Sequence, residues 1–169
     1  MDEITKTFVF YLTIVLILIK CSLVVFLAKK VIDKRRNKIE AGVKFLGATA
    51  GLMAGLSISR ILFTVFDFQI TNFDSSTYAE PDAVITWKIA FFVSTVTLVY
   101  MIWVLDKVIM QNKFKGIPSV ILVIVGIVVL VFPVNTVEDF QLMSVISLIS
   151  NLMSLLFPAV FFYVGKNSS

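Results

Sequence analysis

The chain has 169 residues, 59% of them hydrophobic and 15% charged, with a net charge of +4 and a mean hydropathy of +0.98. Soluble domains are nearer half apolar and a quarter charged, and here the charges gather between long apolar runs, which excludes a soluble globular domain and predicts an all-α, polytopic transmembrane bundle. Histidine is absent and cysteine occurs once, at Cys21, so intrachain disulfides and Cys/His metal sites are excluded.

The first apolar segment covers about 8–28 and is interrupted only by Lys20. The stretch before it is acidic and lacks the basic region and cleavage site of a signal peptide, so this span is expected to stay in the mature protein. A basic stretch follows, with Lys29, Lys30, Lys34, Arg35, Arg36, Lys38 and Lys44 against Asp33 and Glu40. The second span, 45–66, is long enough to cross the hydrocarbon layer. Along it Gly47, Gly51, Gly55 and Ser59 recur every four residues, a strip of nearly bare backbone that invites close helix contact. That contact lies either within the chain or at a seam between copies. Arg60 follows, with Thr64 and Asp67 four and seven residues beyond on a shared face.

The loop after this span carries Asp67, Asp74, Glu80 and Asp82 and no basic residue. The third span, 84–105, has Trp87 and Trp103 near its ends, where indole rings settle in interfacial belts. Asp106, Lys107, Lys113 and Lys115 form a short loop ending at Gly116. The fourth span, 117–134, is almost entirely Val, Ile and Leu, with Pro118 in its first turn, and is expected to have the most lipid contact. The last span covers 140–164, with Pro158 as a point of kinking. All five spans form one bundle over 1–169, without a separate soluble domain.

Basic residues follow spans one and three, and acidic ones follow spans two and four. Under the positive-inside rule the basic loops are cytoplasmic, the N-terminus outside and the C-terminus inside, as a multi-pass protein of the cell membrane. The basic loops then meet anionic lipid heads, which accounts for the net charge without a nucleic-acid partner.

An arginine within an apolar span costs roughly 2.5–3.5 kcal/mol on insertion scales, so it is expected to face a bundle interior. Helical side chains tilt toward the N-terminus, which aims Arg60 inward along its own helix. In the last span Gln141, Ser144, Ser147, Asn151 and Ser154 draw a polar stripe down one face, with Ser144 at about the depth of Arg60. The third span adds Lys88, Ser94, Thr97 and Tyr100, and the first adds Tyr11 and Thr13. The expected arrangement is an outward-opening polar pocket with Arg60 at its floor and Lys88 near its mouth, enclosed by helices one, two, three and five. Two cations among hydroxyls favour an anionic or carbonyl-bearing small molecule. The alternative is that Arg60 bonds hydroxyls and carbonyls and locks helices together. Lys20, in mid-span, either snorkels to the cytoplasmic surface or has a buried role.

No nucleophile elbow, phosphate loop, metal site or intramembrane carboxylate pair is present in the sequence, so catalysis is not expected, nor is a cofactor or metal. The run Leu56-Ser57-Ile58-Ser59-Arg60-Ile61-Leu62-Phe63, followed by Phe66-Asp67-Phe68, resembles the second helix of multi-helix sensory membrane modules of archaeal proteins, some joined to histidine kinases. That resemblance covers about 20 residues and implies a signal-input role with Arg60 and Asp67 as the positions carried over. The leading expectation is a non-enzymatic input or interaction module that meets a ligand, a membrane partner or a second copy of itself. A channel or transporter subunit and a structural subunit of a membrane complex are the other readings.

Overall fold

The computed structural model describes residues 3–37 and 42–155. Its elements are α1 (Glu3–Arg36), α2 (Val43–Val65), α3 (Pro81–Val108), α4 (Ile117–Val131) and α5 (Val137–Ser154). A π-helical turn, Phe66–Ile70, continues α2, and a short 3-10 turn, Ser75–Thr77, lies in the following loop. No strand occurs among the described residues. Glu3–Arg36, Val43–Ile70 and Pro81–Val108 are long and apolar enough to cross a membrane, and Ile117–Val131 is a shorter apolar helix. The end of the predicted last span, 156–164, with Pro158, lies outside the described residues, as do Lys38 and Glu40.

Consecutive helices run antiparallel and pack chiefly on their chain neighbours, α1 on α2, α2 on α3, α3 on α4 and α4 on α5. At one end the Lys6 ammonium donates to the backbone carbonyl and side-chain oxygen of Asn72, at 3.0 and 2.9 Å. At that same end Phe66, Tyr78, Trp87, Phe91 and Phe140 form an aromatic core. Trp87 stacks on Phe91 at 5.5 Å between centroids, and Phe66 stacks on Phe140 at 5.9 Å. Such pairs add about 0.5–1.5 kcal/mol beyond the area they bury. Trp87, expected at an interfacial belt, is instead buried in this core. Trp103 is exposed and carries the Lys107 ammonium over its ring at 5.0 Å.

The expectation that helix four is the most peripheral is corrected. Only Thr13 of α1 is buried, whereas α4 buries Ser119, Leu122, Val125, Gly126 and Val129 between α3 and α5. Small residues explain the close approach. A side chain at Gly126 would bring its Cβ to 3.2 Å from Thr95 Cγ2. Apolar composition alone does not separate a lipid face from a packed one, because both are built from Val, Ile and Leu.

The glycine strip divides in the same way. Gly55 lies against α3, where an added Cβ would come within 2.7 Å of Thr97 Oγ1 and 2.8 Å of Thr97 Cβ. One turn on, the Ser59 hydroxyl donates to the Ala90 carbonyl at 2.8 Å. Gly47 and Gly51 have open space where a Cβ would stand. Within this chain the close contact is therefore made by Gly55 and Ser59.

Asp106, expected in the short loop after the third span, lies in the last turn of α3 and is 1% exposed. Its carboxylate accepts the Phe114 amide at 2.9 Å and the Gly116 amide at 2.8 Å, and its backbone carbonyl accepts the Asn112 amide at 2.8 Å. The clamp holds a loop in which Gln111, Asn112 and Lys115 have φ of 51°, 65° and 51°, a left-handed region unfavourable to side chains. Gly116, at φ 75°, begins α4 without that penalty.

The start of α5 is capped reciprocally. The Asp139 amide donates to the Thr136 hydroxyl at 3.2 Å, and the Asp139 carboxylate accepts the Asn135 and Thr136 amides at 3.0 Å. Those amide bonds hold the Asp139 carboxyl below the usual carboxylate range. The Ser76 amide and hydroxyl do the same for Asp74.

Candidate functional site

Arg60 stands on α2 where that helix is fastened on both sides. Ser59 bonds α3, and the Arg60 guanidinium donates through Nη2 to the Thr13 hydroxyl of α1 at 3.0 Å. Thr13 is 1% exposed and is the buried point of α1. Thr64, one turn beyond, donates its hydroxyl to the Arg60 carbonyl at 2.8 Å. An intrahelical bond of this kind keeps a hydroxyl satisfied in an apolar setting.

The second cation of this site is Lys20 of α1, which interacts electrostatically with Arg60, as does Asp67 in the π-helical turn. Lys20 lies seven residues after Thr13, two turns along the same face and roughly 10 Å along the axis. Because α1 and α2 are antiparallel and side chains tilt toward helix N-termini, Lys20 and Arg60 lean toward each other. A guanidinium has five N–H donors, and among the described residues Thr13 is its side-chain acceptor. Lys20 has no hydrogen-bond partner among them. Two like charges thus share the apolar α1–α2 interface, with Asp67 as the acidic group within electrostatic reach of Arg60. Beside them Phe10, Ile14, Ile17, Ile61, Thr64 and Phe68 line a crevice of about 290 Å³ between α1 and α2.

Lys88, predicted near the mouth of the same pocket, serves another contact. Its ammonium donates to the Leu130 and Phe132 carbonyls at 3.1 and 2.6 Å, capping the last turn of α4, where a cation also suits the helix dipole. Lys88→Met is expected to cost about 1–2 kcal/mol through these freed carbonyls and to raise amide exchange at the end of α4. Thermal unfolding and hydrogen exchange of the purified chain check both.

The polar stripe of α5 also lies away from Arg60. Ser144, Ser147, Asn151 and Ser154 line a cavity of about 700 Å³, opposite Leu52, Met53, Leu56 and Phe63 of α2 and Trp87, Phe91, Ser94, Thr95 and Leu98 of α3. Neither Arg60 nor Lys88 lines it. Gln141 and Tyr11 are exposed. The single expected pocket is thus divided: Arg60 and Lys20 belong to the α1–α2 interface, and the α5 stripe to a separate cavity among α2, α3 and α5.

Among the described residues no cluster of His, Cys, Asp and Glu is arranged to hold a metal ion. No family model matches the chain, and no curated protein or solved structure matches it significantly.

Proposed function

We propose that this chain is a non-catalytic, multi-pass membrane module that takes its input, or meets its partner, through an anionic group docked at Arg60 and Lys20. The observation that carries this reading is Arg60, inside an apolar span, held by one side-chain hydrogen bond to the buried Thr13 of α1, with Lys20 two turns further along the same face of α1. A carboxylate or phosphate between the two cations satisfies the guanidinium bidentately and relieves their repulsion. Docking there bears on α1 directly, since this helix packs chiefly on α2. As one rigid rod of 34 residues, about 50 Å long, α1 carries a small tilt from Thr13 to its basic end at Lys34, Arg35 and Arg36. The basic loops orient that end to the cytoplasm and to anionic lipid heads.

The test uses the purified full chain in nanodiscs of neutral lipid, with spin labels on α1 and α3 read by double electron–electron resonance. Palmitic acid and hexadecyl phosphate are the probes, with methyl palmitate as the uncharged control. Both anionic probes are expected to narrow the α1–α3 distance distribution, and the ester to leave it unchanged. Arg60→Leu is expected to abolish the response and Arg60→Lys to retain part of it. An anion response that survives in a folded Arg60→Leu variant overturns the assignment.

A further inference from the structure

We infer that the cavity among α2, α3 and α5 is a second binding site, built for an uncharged amphiphile: a long apolar body carrying a hydroxyl or amide. Its volume of about 700 Å³ falls within the range of roughly 300–1,000 Å³ typical of small-molecule sites. Its walls are chiefly apolar and aromatic on α2 and α3, and hydroxylated along α5. Among the described residues no Asp, Glu, Lys or Arg lines it, so an ionised ligand would lose its hydration without gaining a counter-charge. This sets its ligand class apart from the anionic one proposed at Arg60.

Two hydroxyls in the wall mark the site as more than loose packing. Elsewhere on these helices Thr49, Ser57, Thr64 and Thr97 donate to carbonyls four residues back, and Ser94, Ser147 and Ser154 to carbonyls three residues back. The Thr95 and Ser150 hydroxyl oxygens are buried with no hydrogen-bond partner among the described residues, and both residues line this cavity. A buried hydroxyl left unbonded keeps the cost of losing its water with no bond to offset it. Hydroxyl side chains turn between staggered rotamers, and an occupant with one donor and one acceptor completes both. Water alone fits poorly, because it needs two to four polar partners and most of the wall is hydrocarbon.

The test is photolabelling of the full chain in nanodiscs with a diazirine analogue of hexadecanol, followed by peptide mass spectrometry. Adducts are expected to concentrate on Leu52, Leu98 and Leu148, and unlabelled hexadecanol to compete at least fivefold better than palmitate at pH 8. Ser150→Leu fills the space and is expected to lower these adducts about tenfold, while adducts on the exposed Val25 of α1 stay constant. Thr95→Val with Ser150→Ala keeps the cavity open and removes the unpartnered hydroxyls; it is expected to weaken competition by hexadecanol about threefold to tenfold. Adducts spread evenly over the apolar surface, or unchanged in the folded Ser150→Leu chain, overturn the site. Equal competition by palmitate overturns the ligand class. Neither result bears on the anion response at Arg60.

Discussion

Asp106→Ala is expected to destabilise the chain by about 3 kcal/mol, from the loss of two hydrogen bonds to a carboxylate worth roughly 1.5–3 kcal/mol each. The Phe114 and Gly116 amides lose their acceptor, and the three left-handed residues of the 109–116 loop lose what holds them. The carboxylate takes one amide on each oxygen, so Asp106→Asn, with a single acceptor oxygen, should recover about half of the difference. Thermal unfolding in detergent measures the cost. Hydrogen exchange localises it: protection should fall at Phe114 and Gly116 and persist at the aromatic core. Equal loss of protection throughout the chain would contradict a local clamp.

Gly55→Leu should cost a similar amount, about 3 kcal/mol, at the upper end of what overpacking usually does. The added side chain would meet Thr97 where contact is already too close for a Cβ, on helices pinned by the Ser59–Ala90 bond. Gly51→Leu is the matched control. It enters open space and should change the stability of the monomer by no more than about 0.5 kcal/mol. Unfolding curves of the two variants, with light scattering for mass, separate packing within the chain from a seam between copies. A large monomer effect at Gly51 would show that the strip works as a continuous unit.

The helices were legible in the sequence because membrane-length apolar runs bounded by charges leave few alternatives. Arg60 was legible as a residue needing company, and the tilt of its side chain set the direction in which to look. Its partners were harder to read, because helix order in space cannot be taken from periodicity. Thr13 was one hydroxyl among many, and Lys20 belonged to a different helix at an uncertain rotation. Lys88 shared charge and depth with the expected pocket, yet the end of α4 offered it free carbonyls within reach. The α5 stripe was read as a face pointing into the bundle toward Arg60, but its hydroxyls are satisfied by carbonyls of their own helix, as Ser147 and Ser154 show, and need no guanidinium. Asp106 gave no signal beyond its position before a turn. Only the folded loop shows two amides meeting its carboxylate.

The neighbour-on-neighbour packing bears on how such a protein enters a bilayer. An arginine-bearing segment is a poor passenger alone, but α2 follows directly on α1, which already holds the Thr13 hydroxyl that Arg60 will meet. On the proposed topology the two helices can leave the insertion machinery as a hairpin with that contact made. Each later helix also packs on the one before it, an arrangement that permits assembly in the order of synthesis with short loops to close at each step.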